Sequence, residues 1–243
     1  MGRFLGKKAV VTGAASGMGQ EVAEQLSAEG AIVIALDLTF SEKPSANTSL
    51  SPCIIQLKHD VTKPESWDAV ASFLSSSGVD ILVNAAGVMD YALLHETELS
   101  SWRHTLDVDL DGVMLGMRAL IPLMKSGGGG SIVNFSSALA TIAFAGSPAY
   151  HAAKAAVTHL TRNAAVTYAA DKIRVNAVLP GIIDTPMVRK QSDEYNAAAV
   201  ARTPLGRMGT ASEIAKCVLF IASEDAAYMT GSAVTIDGGL SAM

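Results

Sequence analysis

Tyr150 and Lys154 stand four residues apart in an Ala-rich, helix-forming stretch, so one helical turn brings a phenol and an ammonium side by side. A free phenol titrates near about 10 and is a poor acid or base at neutral pH; a cation beside it stabilises the phenolate and lowers that value. Tyr150 is thereby a candidate proton carrier. A lone Tyr-x-x-x-Lys is ordinary on a surface helix, and its neighbours are what give this one meaning. The apolar run Ser131-Ile-Val-Asn-Phe135 predicts a buried strand that releases Ser136 and Ser137 at its carboxyl end, where open parallel sheets bind ligands.

A second group of residues suits a dinucleotide. The short β-branched run ending at Thr12 leads into Gly13-Ala-Ala-Ser16-Gly17-Met18-Gly19 and then a helical pattern, the order of strand, glycine loop and helix that a diphosphate site needs. The spacing is neither the common dinucleotide fingerprint nor the Walker pattern. The next strand, continuously apolar, ends on Asp37-Leu38 about twenty residues after the loop, where a carboxylate accepts from ribose hydroxyls and repels a 2′-phosphate. No Arg or Lys in the loop or just after Asp37 offers to receive such a phosphate, so NAD is expected over NADP. Asp60-Val61 follows a third strand and suits an adenine ring. Asn84-Ala85-Ala-Gly87 follows a fourth, with small residues against which a ribose could lie.

The 243 residues are 49% hydrophobic and 17% charged, with net charge −5 and 21 glycines, which fits one α/β domain spanning 1–243. Scattered Lys and Arg argue against nucleic-acid binding. Cys53 and Cys217 have no metal or disulfide spacing,. With no apolar leader and no stretch of about 18 apolar residues, a soluble cytoplasmic protein without membrane contact is expected. Strands and helices alternate throughout, the signature of a doubly wound, Rossmann-like parallel sheet with helices on both faces. One long helix is expected over 98–125, and within it Asp107, Asp109 and Asp111 cannot share a face; no metal site is expected. Residues 186–206, polar, Ala-rich and bounded by prolines, could close over a site as a lid.

Thr12-Gly-x3-Gly17-x-Gly19, Asn84-Ala-Ala-Gly87, Ser137, Tyr150-x3-Lys154, Pro180-Gly181 and Asp237-Gly-Gly239, in this order and at these intervals, resemble the short-chain dehydrogenase/reductase family over essentially the whole chain. The resemblance implies a seven-stranded parallel sheet and a homotetramer built through the late helices. It implies that Tyr150 is the acid/base, that Ser137 hydrogen-bonds the substrate oxygen, and that Lys154 holds the nicotinamide ribose while acidifying Tyr150. It also gives Ile183 backbone and Thr185 side-chain contacts to the carboxamide. One departure stands out: the family usually has an Asn in the long helix, anchoring a water next to the Lys, where this chain has Asp109. An ionised acid accepts from water without donating; alternatively it raises the basicity of Lys154 and weakens its pull on Tyr150.

The expected activity is NAD-dependent hydride transfer between a secondary alcohol and a ketone. Apolar residues around the site, with Met89, Leu139, Phe144 and Met187 beside Ser137, favour a hydrophobic or ring-bearing small molecule. Two rivals are a non-catalytic NAD-binding regulator, against which the intact Ser137, Tyr150 and Lys154 set argues, and an NADPH-dependent carrier-linked acyl reductase, against which Asp37 and the lack of a basic patch argue.

Overall fold

A strand with an apolar interior must be covered on both faces, and β1 (Lys8–Thr12) and β2 (Ile32–Asp37) show how this is done. Ala9, Val11, Val33 and Ala35 point into one core; Val10, Ile34 and Leu36, their immediate neighbours, point into the other. The first core is closed by α1 (Gly17–Ala28) and α7 (Ala211–Ala222), the second by α2 (Pro64–Leu74), α4 (Gly112–Ser126) and α5 (Pro148–Tyr168). This is the computed structural model of the chain, describing residues 2–41, 45–46 and 53–242.

The remaining strands are β3 (Ser45–Ala46), β4 (Ile54–Lys58), β5 (Ile81–Asn84), β6 (Gly130–Phe135), β7 (Ile173–Pro180), β8 (Ile183–Asp184), β9 (Gly209–Thr210) and β10 (Ala233–Ile236); the remaining helices are α3 (Leu99–Leu106) and α6 (Asp193–Ala201). The main sheet runs β10-β7-β6-β5-β1-β2-β4-β3. Its first seven strands are parallel, forming the Rossmann-like seven-stranded sheet, and β3 is antiparallel on the β4 edge. The chain winds outward from β1 in one direction, then returns beside β1 with β5 and winds in the other. That reversal opens a crevice at the carboxyl ends of β1 and β5.

Three local features depart from the sequence reading. The connection over 39–52 carries the short strand β3, because the edge of β4 offers unpaired backbone groups to any extended neighbour; residues 42–44 and 47–52 lie outside the described residues. The single helix over 98–125 is two helices, α3 and α4, joined by a π turn at Asp107–Asp111. A π turn inserts one extra residue, so the helix face shifts there: Asp109 is buried at 0% exposure while Asp107 and Asp111 stay in water. Beside the main sheet, β8 and β9 form a two-stranded parallel pair.

Candidate active site

The helix that carries the phenol has a rigid start. Ser147 sits in the left-handed region at φ 54, its N–H donating to Ala92 O at 3.1 Å and its hydroxyl to Asp90 O. Pro148 then supplies the first helical residue,. His151 secures the loop before it: Nδ1 lies 2.9 Å from Ser147 O and Nε2 accepts from Phe144 N at 3.3 Å, which the neutral Nδ1–H tautomer satisfies,. From this start Tyr150 faces a pocket and Lys154, 3% exposed, faces the end of β6.

Lys154 Nζ donates to Phe135 O at 3.1 Å, lies 3.0 Å from Asp109 Oδ2 and stands 5.3 Å from the centroid of the Tyr150 ring. Asp109 Oδ1 accepts from Val88 N at 2.7 Å. Burial pushes the Lys154 amine down, but Asp109 and Tyr150 together more than restore it, so its pKa lies above the usual value. Burial likewise pushes the Asp109 carboxyl up, against Lys154 and the Val88 N–H. The proton of this pair belongs on Lys154, whose ammonium donates to Phe135 O and is ion-paired with Asp109, while Asp109 already accepts a backbone N–H as an anion does,.

Tyr150 corrects an expectation. With Lys154 alone beside it, the phenol should titrate below its usual value; instead burial pushes it up, Lys154 draws it down, Asp109 pushes it up again, and the Ser137 hydroxyl bond only partly offsets this. The balance lies above the ordinary phenol. Burial of the pair and the charge of Asp109 are the physical reasons.

The crevice beside β1 is lined by Gly13, Ser16, Gly17, Met18, Gly19, Asp37, Leu38, Asp60, Val61, Ala85, Gly87 and Thr185. These residues fit a dinucleotide. Gly13 at φ 65 has no room for a side chain, since a Cβ would lie 2.8 Å from Ala86 Cα, and Ser16 leaves the N-terminus of α1 without a side-chain cap,. Asp37 Oδ1 accepts from Thr39 N and Oγ1 at 2.9 and 2.8 Å, and Oδ2 from Ala15 N at 3.2 Å. It therefore shapes the loop as well as facing the crevice. Asp60 Oδ1 accepts from Thr62 N and Oγ1 at 2.9 and 2.7 Å.

Six residues grouped with the cofactor do not line this crevice: Tyr150 and Lys154, described above, and Asn84, Pro180, Gly181 and Ile183. Asn84 turns its side chain away from the crevice to donate to Asn134 Oδ1 at 2.8 Å, beneath α4, where a Cβ on Gly116 would lie 2.8 Å from Asn84 Oδ1. Pro180, Gly181 and Ile183 line a second cavity. That cavity is mostly apolar and holds Ser137, Met89, Leu139, Phe144, Tyr150 and Met187. Met18, Thr185 and Met187 line both cavities, so the two adjoin.

Sequence reasoning gave several residues no role, Thr12 among them although it opens the glycine motif. Thr12 Oγ1 accepts from both Ala85 N and Ala86 N, at 3.0 and 3.1 Å, and ties β1 to the turn after β5; a lone hydroxyl ending an apolar strand was its signal. Lys63 lines the crevice beside Asp60. In 186–206, Val188, Gln191, Tyr195 and Ala199 line the apolar cavity, and Gln191 Oε1 is buried with no partner. Phe144 bridges to this segment, with Arg202 4.2 Å above its ring and Tyr195 6.1 Å away. No spacing pattern marks these residues in the sequence.

A crevice built by a glycine loop, adjoining a cavity that holds a phenol and a hydroxyl with a buried ammonium beside the phenol, suits a nicotinamide-dependent oxidoreductase. The family described as "Enoyl-(Acyl carrier protein) reductase" matches residues 13–241. Cis-4-hydroxycyclohexanecarboxylate dehydrogenase of Sinomonas cyclohexanicum is 39% identical over 99% of this chain and 98% of its own. The 3-alpha-(or 20-beta)-hydroxysteroid dehydrogenase of Mycobacterium bovis is 35% identical over 98% and 90%. A crystal structure of a short-chain dehydrogenase/reductase from Burkholderia xenovorans superposes with a TM-score of 0.92 at 33% identity, covering 100% of this chain and 99% of that one. The chain belongs to the short-chain dehydrogenase/reductase family.

Proposed function

We propose that this protein is a NAD-dependent dehydrogenase that interconverts a hydrophobic, ring-bearing secondary alcohol and its ketone. The observation that carries the reading is the placement of Ser137 and Tyr150 in an apolar cavity that adjoins the crevice along Met18, Thr185 and Met187. Bound NAD would take the hydride from the carbinol carbon. Ser137 would hold the substrate oxygen, and Tyr150 as phenolate would accept its proton; in the reverse direction the phenol returns that proton to the ketone oxygen. Lys154 keeps a positive charge beside the phenolate. The apolar walls exclude water and favour a ring over a phosphorylated chain, and the names of two relatives describe hydroxyl groups on ring-bearing molecules.

The test is a screen of cyclic and open-chain secondary alcohols, followed by NADH absorbance, with parent and Tyr150→Phe side by side. Ring alcohols should be oxidised by the parent. Tyr150→Phe should lower turnover by about 10² to 10⁴ while binding NAD as the parent does. Near-normal turnover in the variant would remove Tyr150 from its role. Turnover confined to carrier-linked acyl thioesters with NADPH would replace the reading altogether.

A further inference from the structure

Among the described residues, Asp109 is the one carboxylate that touches the Tyr150–Lys154 pair. It is 0% exposed, and its place depends on two features of the backbone. The π turn at Asp107–Asp111 rotates it inward, and Gly87 leaves it space, since a Cβ there would lie 3.2 Å from Asp109 Oδ2 and 3.6 Å from Lys154 Nζ. The other titratable groups facing this cluster are His104 from α3, exposed at the crevice, Tyr91 from the loop after β5, and Tyr195 from α6. Phenols are uncharged at neutral pH, so none of these tyrosines offsets a buried negative charge.

We propose that Asp109 is a positioning residue that holds the site electrically neutral while Tyr150 carries its proton, so that the protein donates protons to ketones at neutral pH and oxidises alcohols under alkaline conditions. With Asp109 ionised and Lys154 charged, the site balances only as long as the phenol is intact. Losing that proton leaves one uncompensated negative charge in a dry environment, which is costly. With a neutral residue at position 109, the same loss would end in a balanced phenolate–ammonium pair. For the pH profile this holds whichever member of the coupled pair carries the charge, because the reactive state has one proton fewer in either case. Lys154 would keep its bond to Phe135 O, so the phenol is the group that gives up the proton. The catalytic direction rests on the function proposed above; the protonation of Tyr150 does not.

Two measurements test this. The first is tyrosinate absorbance against pH in substrate-free protein for the parent, Asp109→Asn and Asp109→Ser, each compared with the same protein carrying Tyr150→Phe, so that the difference isolates Tyr150. The second is the pH dependence of ketone reduction and alcohol oxidation in all three. Both neutral variants should titrate Tyr150 at least about one unit lower than the parent, and the oxidation profile should move down with it. Asp109→Ser is the smaller replacement and carries the test if Asp109→Asn does not fold. A Tyr150 midpoint that is unchanged or higher in the folded variants overturns the assignment. If the midpoint falls but the parent turns over no secondary alcohol or ketone, the assignment of Asp109 stands and the proposed function fails.

Discussion

Asp37 both shapes the loop and faces the crevice, and the two tasks are compatible because a carboxylate offers about four lone-pair sites against three donors from Ala15 and Thr39. Its negative charge predicts a preference for NAD over NADP of at least about tenfold, roughly 1.4 kcal/mol, with Asp37→Ser narrowing the gap. A binding titration with the two cofactors checks this, and equal affinities in the parent would refute it. At this scale much of the site was legible: a phenol and an ammonium at helical spacing, and an acid after an apolar strand, can be read from residue type and interval. The burial of Asp109 was not. Three aspartates alternate at 107, 109 and 111, and nothing in their identity distinguishes the one that a π turn directs inward.

Elements hold these residues in register through a few polar contacts that bridge strands. Thr12 at the end of β1 is the clearest, since one hydroxyl serves two N–H groups from the turn after β5. Thr12→Val keeps the shape and removes the acceptor, leaving those donors unpaired at a cost of about 1–3 kcal/mol. Urea unfolding should show that loss, and NAD affinity should fall with it because Ala85 and Gly87 line the crevice. The alternation of strand and helix was readable because the parallel strands are rich in apolar residues, in β2 and β5 unbroken until the last position. The pairs β3, β8 and β9 were not, each being two residues long, too short for any period to register. The lid segment was legible as a composition but not as contacts: the stacking of Arg202 on Phe144 joins residues 58 positions apart.

For the whole molecule, exposed apolar side chains stand on three helices, none of them among the late helices through which the family resemblance implies a homotetramer. Leu99 on α3 is 71% exposed and Val166 on α5 is 83% exposed, with Met114 on α4 also in water. We propose that copies of the chain cover these residues. Sedimentation of Val166→Asp should then show smaller species than the parent, and identical profiles would place the interface elsewhere. The outer surface also carries ion pairs such as Arg3–Glu29 and Arg207–Glu213, at 2.6 and 2.7 Å. Dissolved ions screen charges in contact with water over about 8 Å at physiological ionic strength, and reach buried ones far less. Asp109, at 0% exposure, lies outside their reach. Raising the salt concentration should therefore weaken the outer pairs while leaving the acidity of Tyr150 where the fold sets it, so that the electrostatics of the catalytic site are insulated from the ionic medium in which the protein is placed.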